Sequence, residues 1–245
     1  MYNLIICIFA CDTIQTYRNE IIKINETWGK KIKDNIKLLF FLGEEKTDLI
    51  GDNYVNLKGV KNDYLSASYK QFLGLKYIYE MYNPNFVFCC GTDTYINIDK
   101  LVNYIINFNF NPNSNFYIGG HGDFRQIGDK NIYFHSGGAG FLLTNGCLDK
   151  LYPILENACD KWITICTINN IKYLETACDV AIAYYLQTET NTTILIDNVS
   201  FWNCNHKGMV GSYSCHPSIE IDKIITCHNM SSFDFDELYN YLSAN

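Results

Sequence analysis

The chain is expected to fold as an α/β protein: one Rossmann-like domain with a mostly parallel central sheet and helices on both faces. Three observations lead there. Over the first 90 residues, strand-like and helix-like segments alternate, which is the order of parallel strands joined by crossover helices. The strand-like segments are unbroken apolar runs, as expected of strands buried on both faces. The 245 residues are 48% hydrophobic and 18% charged, with no repeat and no linker-like stretch, so the chain is globular and can bury a large core.

Leu4 to Ala10 is the first such run. From Thr13 to Trp28 the spacing turns helical, with Ile21, Ile24 and Trp28 on one face. Lys37 to Leu42 is a second buried strand ended by Gly43, and Tyr54 to Leu57 a short third. Asp63 to Tyr82 predicts a long amphipathic helix, its stripe running through Tyr69, Phe72, Leu73, Lys76 and Tyr77 until Pro84 stops it. Asn85 to Cys90 is the next buried strand, and a helix begins near Asp99. The second half is less regular. Asn107 to Asn115 reads as a loop, Phe116 to Gly119 and Asn131 to Phe134 as strands, and Phe134 to Thr144 as a glycine turn entering an apolar run. Leu148 to Cys159 and Thr176 to Gln187 predict helices, Thr193 to Ile196 a strand, and Phe201 to Ser218 a long loop. Ile221 to Cys227 predicts a strand and Phe235 to Leu242 a terminal helix.

Nineteen Lys and Arg against 26 Asp and Glu leave a net charge of −7. That argues against nucleic acid or an anionic membrane as partner, and a phosphate-bearing ligand would need local donors or a cation. No run approaches a membrane span. The apolar start has no basic n-region and no small-residue cleavage site, which gives a cytoplasmic expectation. The eleven cysteines include no CxxC pair and are expected to be mostly reduced, buried thiols. In an oxidising compartment, Cys159, Cys166 and Cys178 would be the first to bridge.

Four places carry chemistry. Asp93 follows the strand ending at Cys90, and open sheets bind ligands beyond their strands' carboxyl ends. A carboxylate there can hold Mg²⁺ or Mn²⁺ against phosphates, or simply cap a turn. Gly137-Gly138-Ala139-Gly140 permits close backbone approach to a ligand, or a tight packed turn. Asp179, heading a helix, can be a general base or a first-turn residue favoured by the helix dipole. His228, at a strand end, can ligate a metal or serve structure alone.

Taken in order, these blocks resemble the inverting glycosyltransferases of the Fringe and core 1 galactosyltransferase type, in glycosyltransferase family thirty-one, over nearly the whole chain. The matching blocks are Thr27-Trp28-Gly29 after a helix bearing Arg18, Leu39-Phe40-Phe41-Leu42-Gly43, the Lys70 helix, and Gly91-Thr92-Asp93-Thr94-Tyr95-Ile96 where the family has Asp-Asp-Asp-Thr-Tyr-Val. They continue through Tyr117-Ile118-Gly119-Gly120, Ser136-Gly137-Gly138-Ala139-Gly140-Phe141, Cys178-Asp179-Val180 in place of Glu-Asp-Val, and Thr226-Cys227-His228 before the last helix.

The resemblance implies a single GT-A domain over residues 1–245. Residues 1–90 would form the nucleotide-binding half, and 91–245 the half for metal, donor sugar and acceptor. It implies inverting transfer of a hexose or N-acetylhexosamine from a UDP-sugar to a hydroxyl of a glycan or glycoprotein, with a 1,3 linkage. Asp93 and His228 inherit the metal, Mn²⁺ or Mg²⁺, and Asp179 inherits the base. Phe9, Ala10 and Cys11 would lie near the uracil, and Arg18, Lys70, Thr92, Asp93, Gly137, Gly138, Ala139 and Gly140 would contact the donor. Three positions depart from the pattern: Gly91 and Thr92 replace two aspartates, and Cys178 replaces an acidic residue. The alternative is a catalytically impaired relative that binds a glycan or protein. An unrelated hydrolase has no Gly-x-Ser-x-Gly behind it.

Overall fold

A computed structural model describes residues 3–44, 47–210, 213–214 and 220–244. In chain order the elements are β1 (Leu4–Phe9), α1 (Gln15–Glu26), β2 (Ile36–Leu42), β3 (Tyr54–Asn56), α2 (Ala67–Met81), β4 (Phe86–Cys90), β5 (Tyr95–Ile96), α3 (Ile98–Asn107), β6 (Phe116–Gly119), β7 (Asp123–Ile127) and β8 (Lys130–Phe134). There follow β9 (Phe141–Thr144), α4 (Asn145–Leu155), α5 (Ala158–Ile168), α6 (Cys178–Thr188), β10 (Thr193–Ile196), β11 (Phe201–Trp202), β12 (Met209–Val210), β13 (Tyr213–Ser214), β14 (Thr226–Cys227) and α7 (Ser232–Ala244).

The central sheet has the order β10-β6-β9-β4-β1-β2-β3. All its strands run one way except β9, which is antiparallel to both β4 and β6. The connection explains the reversal. After β6 the chain stays at that strand's carboxyl end, makes the β7–β8 hairpin, and enters β9 from the same rim. The glycine turn is thereby left on the rim with the carboxyl ends of β1 and β4.

Period-two side-chain alternation splits the buried residues into two cores. Ile5, Cys7, Leu39, Phe41, Val87 and Cys89 pack under α2, α4, α5 and α6. Leu4, Ile6, Ile8, Phe40, Phe88 and Leu142 pack under α1, α3 and α7. Helices therefore cover both faces, as the unbroken apolar strands required. Because the strand order runs outward from β1 through β2 and β3 and then returns to place β4 on the other side of β1, the crevice between the ends of β1 and β4 is a topological switch point, where such sheets bind ligands.

A second sheet, β11-β14-β5, lies just past β4. Cys227 of β14 pairs with Tyr95 of β5, which returns the last part of the chain to the segment after β4.

Several elements differ from expectation. The helix expected from Asp63 starts at Ala67, because the Asp63 carboxylate accepts the Ser66 N–H at 2.9 Å and closes a turn instead. The helix expected over Leu148 to Cys159 is two: α4 ends at Leu155 and α5 begins at Ala158, carrying the fully buried Trp162. The expected strand Ile221 to Cys227 is strand only at Thr226–Cys227; Ile221–Lys223 is a 3-10 turn. Within the expected loop Phe201 to Ser218 the structure places β11, β12 and β13, while 211–212 and 215–219 lie outside the described residues. Cys159, Cys166 and Cys178 are unbridged thiols. Among the described residues no helix is long and apolar enough to cross a membrane.

Candidate active site

A cavity of about 590 Å³ opens at the switch point. Its walls come from four places on the rim: Phe9, Ala10 and Cys11 after β1, Gly91, Thr92 and Asp93 after β4, Ser136, Gly137 and Gly138 of the glycine turn, and Cys178 and Asp179 at the start of α6. His228, one residue past β14, completes it, and Lys70 of α2 closes the floor.

Asp93 and His228 meet because their strands pair. The Met230 N–H donates to the Asp93 carbonyl at 3.0 Å, and the His228 N–H donates to the Cys204 carbonyl at 3.1 Å. Their side chains then stand with His228 Nε2 3.0 Å from Asp93 Oδ2. Burial alone would push the imidazole's pKa down. The hydrogen bond and charge of Asp93 outweigh it and hold His228 above its usual value. On the far side of the ring, Nδ1 faces the Asn203 carbonyl at 3.4 Å. That carbonyl can only accept, so it favours a proton on Nδ1; the proton that Nε2 shares with Asp93 is the one a cation between the two side chains would replace, leaving the Nε2 lone pair to the metal. A nitrogen and a carboxylate oxygen 3.0 Å apart fit neighbouring positions around an octahedral ion, whose adjacent ligands stand about 3 Å from each other. The donor pair therefore suits a divalent cation such as Mn²⁺ or Mg²⁺.

Gly138 makes this approach possible. A Cβ there would clash with Cε1, Nε2 and Nδ1 of the His228 ring.

Asp179 faces the same cavity. Its Oδ2 accepts the Gly137 N–H at 3.1 Å and its Oδ1 accepts its neighbour Val180's N–H at 2.9 Å. Burial raises the carboxyl's pKa, opposed by these backbone donors. A partly buried, raised carboxylate in a cleft is the environment of a general base.

Three residues expected at the donor lie off the cavity. Arg18 sits about 100° round α1 from the cavity-lining Tyr17 and pairs with Asp48 at 2.7 Å, with Asp12 at 3.9 Å. Ala139 is fully buried, and its carbonyl accepts the Thr226 hydroxyl at 2.6 Å. Gly140, at φ +79°, turns the chain into β9 against Phe88. Only the first half of the glycine segment faces the cavity; the second half is core.

The structure also brings in residues that sequence reasoning missed. Glu20 of α1 is buried, and its Oε2 accepts the Thr92 hydroxyl at 2.5 Å. Burial, aided by the nearby Asp93 charge and opposed by the Thr92 hydrogen bond, pushes its carboxyl up to about 7. Tyr17 and Tyr64 stack at the cavity wall, ring centroids 5.8 Å apart. A signal existed for two of these: Tyr17 and Glu20 lie four residues before Ile21 and Ile24, on the same helical stripe.

No family model matches the chain, and no curated protein matches it significantly in sequence. Solved structures do match. A glycosyltransferase involved in glycosylating the major capsid of PBCV-1 superposes with a TM-score of 0.52 at 12% identity, over 97% of this chain and 98% of that one. The galactosyltransferase LgtC, solved with donor and acceptor sugar analogues, superposes with a TM-score of 0.51 at 12% identity, over 97% and 95%. At such identity the likeness establishes the fold: this chain has the α/β architecture of GT-A glycosyltransferases, with its cavity at the carboxyl rim of the sheet.

Proposed function

We propose that the chain is a metal-dependent glycosyltransferase of the Fringe and core 1 type. It would move a hexose or N-acetylhexosamine from a UDP-sugar to a hydroxyl of a glycan or glycoprotein, with inversion and a 1,3 linkage. The observation that carries this reading is the convergence of the Asp93–His228 pair and Asp179 on one cavity, from sequence positions up to 135 residues apart.

Asp93 and His228 hold the divalent cation. When bound, it supplies Lewis-acid neutralisation of the departing diphosphate. Phe9, Ala10 and Cys11 border the uracil, with the Tyr17 and Tyr64 rings offering flat apolar faces nearby. Lys70, its Nζ donating to the Asp63 carbonyl at 2.8 Å, brings positive charge to the diphosphate. Glu20 returns a carboxylate to the neighbourhood of Thr92, where the family resemblance leads one to expect an aspartate. The Gly137 and Gly138 backbones border the donor sugar. Asp179 takes the proton of the acceptor hydroxyl as that oxygen attacks the anomeric carbon from the face opposite the leaving group. The division into a nucleotide half, 1–90, and a metal, donor-sugar and acceptor half, 91–245, follows from this assignment.

The test is a calorimetric titration of UDP into the protein with Mn²⁺ and again with a chelator, followed by a panel of UDP-sugars with anomeric analysis of the product. Binding that needs Mn²⁺, and a product of inverted configuration, are the expected results. No UDP binding in either condition overturns the reading and puts a glycan- or protein-binding module in its place.

The glycine turn gives a sharper check. Gly138→Ala is expected to displace the His228 ring and weaken Mn²⁺-dependent UDP binding by about 10- to 100-fold, the usual cost of disturbing a ligand's support. Wild-type affinity in this variant would show that His228 does not serve the nucleotide.

A further inference from the structure

Another set of ligating side chains lies outside the cavity, where the loop at 203–208 meets the first turn of α7. His206, Asp234 and Glu237 each offer one ligand atom there, all within 4.8 Å of one another. None of the three lines the cavity.

His206 sets this cluster apart from an ordinary acidic patch. Only 8% of it is exposed, and neither ring nitrogen has a hydrogen-bond partner among the described residues. Each nitrogen stands near a carboxylate without a hydrogen bond to it: Nδ1 is 3.9 Å from Asp234 Oδ1, and Nε2 is 3.5 Å from Glu237 Oε2. Buried polar atoms are normally satisfied, and an orphan imidazole is an ill-fitting core residue but a good metal ligand.

The carboxylates are prepared in a complementary way. Asp234 closes a reciprocal cap with Ser231: its Oδ2 accepts the Ser231 N–H at 3.0 Å and hydroxyl at 2.6 Å, and the Asp234 N–H donates back to the Ser231 hydroxyl at 3.2 Å. This holds the side chain fixed and turns Oδ1 toward His206, the kind of outer support that orients metal ligands. Glu237 follows three residues later on the same helical face. The Lys207 ammonium, on a half-exposed side chain, lies 2.7 Å from Glu237 and 3.6 Å from Asp234. The cluster thus already collects a positive charge, carried by a half-exposed side chain whose ammonium also lies 5.3 Å from the centre of the Phe233 ring.

We propose that His206, Asp234 and Glu237 form a structural site for a divalent cation of the zinc class, which displaces the Lys207 ammonium and ties α7 to the 203–208 loop. One imidazole nitrogen and two carboxylate oxygens, with water in the fourth position, is a ligand set zinc accepts. The proposal does not depend on the glycosyl-transfer reading.

The experiment is a calorimetric titration of Zn²⁺ alone into chelator-treated Asp93→Asn protein, a background that takes the carboxylate from the cavity's own metal pair. One Zn²⁺ equivalent and a zinc-dependent rise in melting temperature are expected. Both should disappear when His206→Ala or Glu237→Gln is added. Because His206 is buried, Glu237→Gln is the decisive arm; it alters an exposed position, and its zinc-free melt should match that of the Asp93→Asn parent. If Zn²⁺ binds equally with and without Glu237→Gln, the ion sits elsewhere and the proposal fails. If Asp93→Asn protein binds no Zn²⁺, Lys207 is the cluster's permanent cation and the proposal fails as well.

Discussion

Asp179→Asn is expected to slow sugar transfer by about 10²- to 10⁴-fold, the usual contribution of a general base, while UDP affinity in Mn²⁺ stays unchanged. The two amides would distinguish this from a folding defect. Asparagine has the same size and keeps an oxygen to accept the N–H of Gly137 or Val180, but it cannot take up a proton. The pH profile should carry the same signature. Burial raises the Asp179 carboxyl's pKa and the base works ionised, so wild-type transfer should fall on acidification at a pH above the ordinary carboxylate value of about 3.9. The stability linkage has the opposite sign. A carboxyl whose pKa is raised on folding contributes stability that is fully present below its unfolded pKa and lost as pH rises through its folded one. At neutral pH the native protein therefore bears the cost of an ionised, desolvated Asp179. Asp179→Asn should melt no lower than wild type there. Turnover equal to wild type would remove Asp179 from the role of base.

Asp93→Asn is the second large effect. The amide is neutral and can offer a metal only its weakly donating carbonyl oxygen, so His228 would be left without its anionic partner. Affinity for Mn²⁺ should fall by at least about 100-fold, more than the loss from an outer-shell change. UDP titrations in Mn²⁺ and in chelator should then superimpose. The comparison isolates the cation's share of binding, because the strand pairing that positions Asp93 runs through backbone groups the substitution leaves alone. A Mn²⁺ requirement that survives Asp93→Asn would move the metal to other ligands.

The sheet's central strands were legible because burial on both faces leaves unbroken apolar runs, and β1, β2 and β4 are fully or almost fully buried. The rim followed from them: once β1 and β4 are strands of a parallel sheet, residues 9–11 and 91–93 must lie at its carboxyl edge. What was hidden depended on tertiary pairing. β7 is largely exposed and mixed in character, so no alternation announced it, although its partner β8 showed as the strand Asn131 to Phe134. β14 is two residues long and exists because β5 and β11 flank it. The glycine segment looked like one unit, yet the fold puts Gly138 against His228 and Gly140 against Phe88. Arg18 and Glu20 are two residues apart on α1 and reach opposite destinations, one to Asp48 near the surface and the other to Thr92. Helical rotation decides between them, and only the placement of α1 on the sheet shows which one faces inward.

The pairing of β14 with β5 also orders events in time. His228 follows its partner Asp93 by 135 residues, so it leaves the ribosome long after Asp93 does. Chains fold from the amino end during synthesis, so β1, β2 and β4 can assemble early and build a rim that still lacks its histidine. Until β14 has emerged and docked against β5, no Asp93–His228 pair exists. Emergence of β14, and not the formation of the core, is therefore the moment at which this cavity becomes complete.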